Sequence, residues 1–132
     1  MNCLTLNVCG FGEGAKWSWV KRLQSSLHIN FLYIQETQLL DFSNIRIQDC
    51  WGNDEFDYDG VNSTGRSGGM ISIWNTNFFV RKKYVKNRHF LLTSGNWKGI
   101  NEDITFVNVY GPHNQVDKAN LWKELLEVKK IL

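Results

Sequence analysis

The chain has 132 residues and a formal net charge of +2, and 42% of its residues are hydrophobic and 14% aromatic. This length fits one domain over residues 1–132, and the apolar content is enough to build a core, which excludes intrinsic disorder. The near-neutral charge does not by itself indicate a nucleic-acid-binding protein, although a local basic patch is compatible with it.

The three cysteines, Cys3, Cys9 and Cys50, are odd in number and contain no C-x-x-C pair. A disulfide framework and a zinc knuckle are therefore not expected. A reducing, intracellular location is expected instead. The N-terminus lacks the pattern of a signal peptide, and no apolar run approaches the roughly 18 residues of a membrane span, so no membrane partner is expected.

The first third of the chain predicts a βαβ-like opening. Asn2–Val8 alternates as a β-strand does, and after a Gly-rich loop Lys16–Leu27 has the apolar spacing of an amphipathic helix. Asn30–Glu36 is almost continuously apolar until its end, which is typical of a strand buried on both faces. Residues 37–50 favour neither helix nor strand.

The rest of the chain predicts a mostly β middle and a closing helix, and hence an α/β fold. Residues 49–69 are interpreted as an acidic, aromatic loop. The strands expected after it are Met70–Asn75, Phe78–Val85, His89–Gly95 and Ile104–Tyr110. A helix over Gln115–Leu132 is expected to close the chain, with Asn114 as a possible N-cap.

The Gly-rich loop allows a dinucleotide-binding hypothesis. Gly10-x-Gly12-x-x-Ala15 follows a strand and opens a helix, and Glu36 lies where the acidic residue that binds the ribose is found. Against it, Asn7 is polar where that strand is usually apolar, and the later strands are hairpin-like. The structural alternative is an ordinary strand-to-helix connection.

Glu36 and Asn7 form a second candidate site. A carboxylate that follows a buried strand is costly unless it is hydrogen-bonded, paired or bound to a cation. If the first two strands are parallel neighbours, Asn7 ends beside Glu36, and an amide oxygen with a carboxylate suits Mg²⁺ or Mn²⁺. A structural hydrogen bond between the two side chains is the alternative.

Four short motifs, "LTLNVCG", "YIQETQ", "RSGGMISIW" and "FVNVYGPH", occur in this order. Together they resemble the endonuclease/exonuclease/phosphatase superfamily. More closely, they resemble the apurinic-type endonuclease domain that opens the polyprotein of plant LINE-type (non-LTR) retrotransposons. The resemblance implies the N-terminal half of a DNase I-like, four-layer α/β sandwich, and the activity of a divalent-metal-dependent DNA endonuclease.

The resemblance also implies residue roles. Glu36 matches the metal-binding Glu of the family, Asn7 matches the Asn beside that metal, and Tyr110 matches the Tyr that faces the scissile phosphate. Asn7 and Tyr110 are thus the candidate catalytic residues, Glu36 the metal ligand, Mg²⁺ or Mn²⁺ the cofactor and DNA the partner. A nuclear location follows if the retrotransposon origin holds.

Departures from the family pattern limit the expected activity. The later Gly-Asp-Phe-Asn and Ser-Asp-His motifs, which hold the water and supply the base, do not occur, and His113 does not match them. Cys9 and Gln38 stand where relatives often carry Arg and Lys. The chain alone is therefore expected to be inactive, with a missing C-terminal half or reverse transcriptase region as partner; a non-catalytic fold remnant is the alternative.

The same reasoning predicts a single sheet whose inner face is partly uncovered, with self-association as the consequence. The residues expected on that uncovered face are Ile71, Ile73, Phe106 and Val109.

Overall fold

The structure, a computed structural model, describes residues 1–111 and 115–131. Its strands are β1 (Cys3–Asn7), β2 (Phe31–Gln35), β3 (Phe56–Val61), β4 (Met70–Asn75), β5 (Phe79–Lys86), β6 (Phe90–Trp97) and β7 (Asp103–Val109). Its α-helices are α1 (Gly14–Leu27), α2 (Gln48–Trp51) and α3 (Gln115–Ile131), and a 3₁₀ turn covers Phe42–Asn44. The candidate N-cap Asn114 and the turn residue His113 lie outside the described residues.

Two sheets form the centre of the molecule. The first has the strand order β1-β2-β4-β3, with β1 and β2 parallel and the other pairs antiparallel. The second is the antiparallel meander β5-β6-β7. Helices α1 and α2 pack on the outer face of the first sheet and α3 on the second, which gives four layers.

Strand β2 is buried on both faces, as its apolar run predicts. Leu32 and Ile34 face the helical layer, where they pack with Val20 of α1. Phe31 and Tyr33 face the second sheet instead. The βαβ opening thereby makes β2 an interior strand of the first sheet, between β1 and β4.

Aromatic side chains fill the space between the sheets. The ring of Phe31 stacks on that of Phe106 at a centroid distance of 4.1 Å, and Phe79 meets Phe106 edge to face at 5.2 Å. Trp74 and Trp97 complete this cluster. Such rings bury large areas, and their offset and edge contacts add about 0.5–1.5 kcal/mol per pair.

The structure corrects three expectations. Residues 49–69 are not only a loop, because they contain the end of α2 and all of β3. The chain supplies two sheets rather than one, since β5, β6 and β7 fold back as a separate meander.

The third correction concerns the uncovered face. Ile71 and Ile73 are fully buried under the helices, Phe106 is buried between the sheets, and Val109 is half-buried beneath α3. The residues expected to lie uncovered are therefore covered by layers of this same chain.

One partly buried ion cluster joins the edges of the two sheets. Asp59 of β3 accepts from Arg81 and from Lys86 of β5, both at 2.7 Å. Burial by itself raises the pKa of Asp59, but hydrogen bonds from Lys86, the Gly60 N–H and Arg81 outweigh it, and the pKa lies below its ordinary value. The cluster therefore links β3 and β5 through charge.

Within the part of the chain that the structure describes, no helix is long and apolar enough to span a membrane.

Candidate functional site

The parallel pairing of β1 and β2 brings the ends of both strands to one edge of the first sheet. Asn7 pairs in register with Gln35, so Glu36 comes next to Asn7. The adjacency expected for a parallel pair is confirmed. The Cys9 thiol lies between the two side chains, with its sulfur 3.2 Å from Asn7 Oδ1 and 3.6 Å from Glu36 Oε2.

Beyond the strand ends, the Gly-rich loop stays hydrogen-bonded to the segment that carries Glu36. The backbone N–H of Gly10 donates to the Glu36 carbonyl at 2.8 Å. That of Phe11 donates to the Thr37 carbonyl at the same distance. Phe11 and Thr37 are both buried, which anchors this extension in the core.

A glycine pair fixes the same segment from its other side. The N–H of Thr37 donates to Gly69 O at 3.2 Å, and the N–H of Gln38 donates to Gly68 O at 2.9 Å. Gly69 has φ +87°, and a Cβ built there would overlap Thr37 Oγ1. Only glycine allows this close approach, so the segment that follows β2 is clamped between two loops.

The clamped segment and the Gly-rich loop beside it are conformationally strained. Cys9, Glu36 and Gln38 adopt the left-handed region, with φ of 47°, 52° and 56°. Among the non-glycine residues that the structure describes, His28 at the end of α1 is the one further case. Left-handed non-glycine residues cost about 1–2 kcal/mol each and cluster where function requires a set geometry.

An open cleft of about 650 Å³ lies at this edge of the sheet. Asn7, Glu36 and Tyr110 all line it, although they come from three separate parts of the sequence. The remaining lining residues are Thr5, Tyr33, Gln35, Val107, Val109 and Gly111. Tyr110 is held by its N–H, which donates to His89 O at 2.8 Å. The structure thus brings the three sequence-predicted residues together.

The cleft is suited to a weakly held, largely hydrated hard cation. Among the described lining residues its one carboxylate is that of Glu36, and the Cys9 thiol joins it to the Asn7 amide oxygen. Mg²⁺ commonly uses one or two carboxylates and keeps several waters, which this donor set fits. Within residues 1–111 and 115–131, no group of three His, Cys, Asp or Glu side chains could hold a metal by itself.

Sequence reasoning missed a polar network beneath the cleft. Gln35 Nε2 donates to Asn108 Oδ1 at 2.8 Å, and Thr5 Oγ1 donates to Gln35 Oε1 at 3.0 Å. The buried Asn108 amide donates in turn to the carbonyls of Ile34 and Ile71, at 3.3 and 3.1 Å. The sequence contains a signal for this network, because Asn108 lies in the apolar run "ITFVNVY". A buried Asn side chain needs hydrogen-bond partners.

The N–H groups of Cys9, Gly10 and Phe11 in the Gly-rich loop are not available to an anion. Those of Gly10 and Phe11 are used by the segment after β2, and that of Cys9 donates to Asn7 Oδ1. The loop carbonyls of Val8 and Gly10 instead each accept from the Lys16 ammonium at 2.8 Å. A pyrophosphate site needs N–H donors that face the ligand, whereas here the loop carbonyls face a cation. This geometry therefore disfavours the dinucleotide hypothesis.

Two solved structures are similar to this chain. The AP endonuclease LMAP from Leishmania major superposes with a TM-score of 0.60 at 17% identity, over 82% of this chain and 39% of that one. The catalytic domain of APE2 from Xenopus laevis gives 0.60 at 15% identity, over 89% of this chain and 47% of that one. No protein-family model and no curated protein matches the sequence significantly.

These likenesses establish the fold. The chain has the DNase I-like α/β sandwich architecture that the motifs imply, and it spans less than half the length of either structure.

Proposed function

We propose that the chain carries the metal- and phosphate-binding part of a divalent-metal-dependent phosphodiesterase site that acts on DNA. The observation that carries the proposal is the convergence of Asn7, Glu36 and Tyr110 on one cleft, with Glu36 clamped in a left-handed conformation. The architecture shared with two AP endonucleases supports the same reading.

In this proposal Glu36 binds Mg²⁺ or Mn²⁺, and the Asn7 oxygen binds the ion or one of its waters. The ion, when bound, polarises the phosphate and offsets its negative charge. Tyr110 contacts the phosphate from the opposite wall of the cleft. Because the backbone around Glu36 is fixed by bonds on both sides, the carboxylate needs little reorganisation to receive the ion.

The described residues of the cleft do not complete the chemistry of hydrolysis. No His or Asp side chain is among the described residues that line the cleft, and in-line attack needs a base or an oriented water. We therefore infer that residues 1–132 bind the ion and phosphate but cut DNA only with a complementary polypeptide. A C-terminal half or reverse transcriptase region of a retrotransposon polyprotein, working in the nucleus, is the partner that the motif resemblance favours.

Thermal unfolding with Mn²⁺ tests the proposal. At tenfold excess over its dissociation constant, an ion that binds only the folded chain stabilises it by about 1.4 kcal/mol. For 132 residues this raises the Tm by about 5 °C. Glu36→Gln should remove the rise, while Glu55→Gln, an exposed Glu at the opposite end of the first sheet, should retain it.

Equal Mn²⁺ shifts in the wild type and in Glu36→Gln would show that the ion binds elsewhere. NAD⁺ serves as the competing ligand in the same assay and should leave the Tm unchanged. A rise with NAD⁺ that Gly12→Val abolishes would replace the proposal by the dinucleotide-binding hypothesis.

A further inference from the structure

The Cys9 thiol contacts both of the side chains that are proposed to bind the cation. Its sulfur lies 3.2 Å from Asn7 Oδ1 and 3.6 Å from Glu36 Oε2. A thiol carries one proton, so it can donate to only one of these oxygens at a time. A hydrogen bond therefore accounts for one of the two contacts, while the pair of contacts brings a sulfur and two oxygens into a single cluster of metal donors.

The backbone around Cys9 is fixed in the conformation that directs the thiol to this cluster. The Cys9 N–H donates to Asn7 Oδ1 at 3.2 Å, and the Gly10 N–H donates to the Glu36 carbonyl at 2.8 Å. The Lys16 ammonium donates to the Cys9 carbonyl at 3.3 Å and to the carbonyls of both neighbouring residues at 2.8 Å. The loop is therefore ordered before any ligand arrives, which lowers the entropic cost of binding.

The two sulfur–oxygen distances fit the edges of a tetrahedral metal site. With a Zn–S bond of about 2.3 Å, a Zn–O bond of about 2.0–2.2 Å and tetrahedral angles, the sulfur and an oxygen ligand lie about 3.5–3.7 Å apart. The distance of 3.6 Å to Glu36 Oε2 falls in this range. The distance of 3.2 Å to Asn7 Oδ1 needs an adjustment of only a few tenths of an ångström.

A sulfur donor changes which cation the cluster prefers. Mg²⁺ is a hard cation that takes oxygen ligands, whereas thiolate ligands select Zn²⁺ and softer cations. Zn²⁺ also generally binds a given donor set more tightly than Mn²⁺ does. Zinc sites that bind water or substrate have three protein ligands and an open fourth position. A thiolate, a carboxylate and an amide oxygen supply three such ligands.

We propose that Cys9 is a third metal ligand beside Glu36 and Asn7, and that the site binds Zn²⁺ in preference to Mg²⁺ and Mn²⁺. Binding displaces the thiol proton to solvent, and the sulfur and the two oxygens each donate a lone pair to the ion. The fourth position is left for a water or a phosphate oxygen in the cleft. The inference deepens the proposed function, on which it rests for Glu36 as a ligand.

Co²⁺ makes the ligand set visible, because it replaces Zn²⁺ in tetrahedral sites and absorbs light. Titration of the reduced chain with Co²⁺ should produce a near-ultraviolet charge-transfer band from thiolate to cobalt. Cys9→Ser should abolish this band. The matched control is Cys3→Ser, which should retain it, since Cys3 is exposed at the other end of β1; Cys50 is buried.

Competition with a chelating indicator measures the affinity for Zn²⁺. Loss of an outer-shell partner alone costs about 10–100-fold in metal affinity, so the loss of a ligand in Cys9→Ser should weaken Zn²⁺ binding by about 100-fold. The affinity for Mg²⁺ should change less than about threefold, because Mg²⁺ does not use the sulfur. Thermal unfolding in EDTA verifies that the variants are folded.

Alkylation of the wild-type chain tests the same contact without a change at Cys9. Saturating Zn²⁺ should slow the alkylation of Cys9 and leave that of Cys3 unchanged. At the same Zn²⁺ concentration, Glu36→Gln should restore the Cys9 rate.

Two results would overturn the inference. One is a cobalt spectrum that Cys9→Ser leaves unchanged; the other is alkylation of Cys9 that saturating Zn²⁺ does not slow. Either result together with a Glu36-dependent Mn²⁺ shift would retain the proposed function with oxygen ligands alone. Conversely, a cobalt band that requires both Cys9 and Glu36, without stabilisation by Mn²⁺, would support the zinc site and reject the hard-cation proposal.

Discussion

Asp59 allows the sharpest test of how the two sheets are held together. Asp59→Asn keeps the size of the side chain but removes the charge that two cations share. Breaking a buried ion pair by removing one partner costs about 3–5 kcal/mol. Here the Arg81 and Lys86 side chains retain 25% and 34% of their exposure, so water replaces part of the lost interaction.

We therefore expect Asp59→Asn to lower the free energy of unfolding by about 2–3 kcal/mol at neutral pH. With an unfolding entropy of about 2.1 cal/mol/K per residue, this lowers the Tm by about 7–11 °C. Asp57→Asn is the matched control, because Asp57 is exposed on the same strand and forms no ion pair within the described residues. Chemical denaturation of the three proteins measures the difference.

The pH dependence gives a second readout of the same contact. The folded-state pKa of Asp59 lies below its ordinary value of 3.8. Above about pH 3.8, the charged Asp59 therefore makes its full contribution to the free energy of unfolding. The contribution is lost as the pH falls from about 3.8 through the lower folded-state pKa. The stability gap between the wild type and Asp59→Asn should therefore narrow below about pH 4. A gap that stays constant to pH 2, or a variant no less stable than Asp57→Asn, would refute the assignment.

Two further results are expected at the site. Gly69→Ala should destabilise the chain by more than 2 kcal/mol and abolish the Mn²⁺ shift, because the new methyl group overlaps Thr37 and displaces Glu36. Gly99→Ala shares φ +87° but meets nothing within 4 Å, so thermal unfolding should show a cost of only about 1 kcal/mol and an intact shift. In a plasmid-nicking assay with Mg²⁺, the purified chain should not cut; nicking that Glu36→Ala abolishes would show that a complete site exists in these residues.

Strand pairing at the start of the chain was predictable because local patterns determine it. A strand, an amphipathic helix and a second strand fold into a parallel strand pair. The helical connection between the two strands is almost always right-handed. Burial of β2 on both faces followed from the apolar run Phe31–Ile34. The proximity of Asn7 and Glu36 followed in turn from the parallel register.

Strand β3 was missed because its sequence resembles a polar loop. "FDYDGV" carries two acids and a glycine, which strands disfavour. Gly60 is required because the ring of Phe42 occupies the place of a Cβ, and Asp59 is tolerated because β5 supplies its cations. Both causes come from residues distant in sequence, so no local pattern could indicate them.

The left-handed backbone at Cys9, Glu36 and Gln38 was equally inaccessible from sequence. None of these residues is a glycine, so nothing in the motifs "LTLNVCG" and "QETQ" indicates positive φ at them. The strain persists because hydrogen bonds from two loops and a forced glycine contact over-determine the segment. A motif comparison could identify Glu36 as a candidate ligand, but not how it is held.

The polar network under the cleft explains how a strained carboxylate can sit at the end of a buried strand. Asn108 belongs to the second sheet, yet its amide bonds to Gln35 and to the Ile34 and Ile71 carbonyls of the first. Such a group in an interior of aromatic rings is costly unless every bond is made, and here both its donor and its acceptor atoms have partners. The arrangement therefore fixes the relative position of the sheets at Gln35, the residue before Glu36. Precision at the site thus depends on contacts between layers, and a change that shifts the second sheet should move the carboxylate even without touching the cleft.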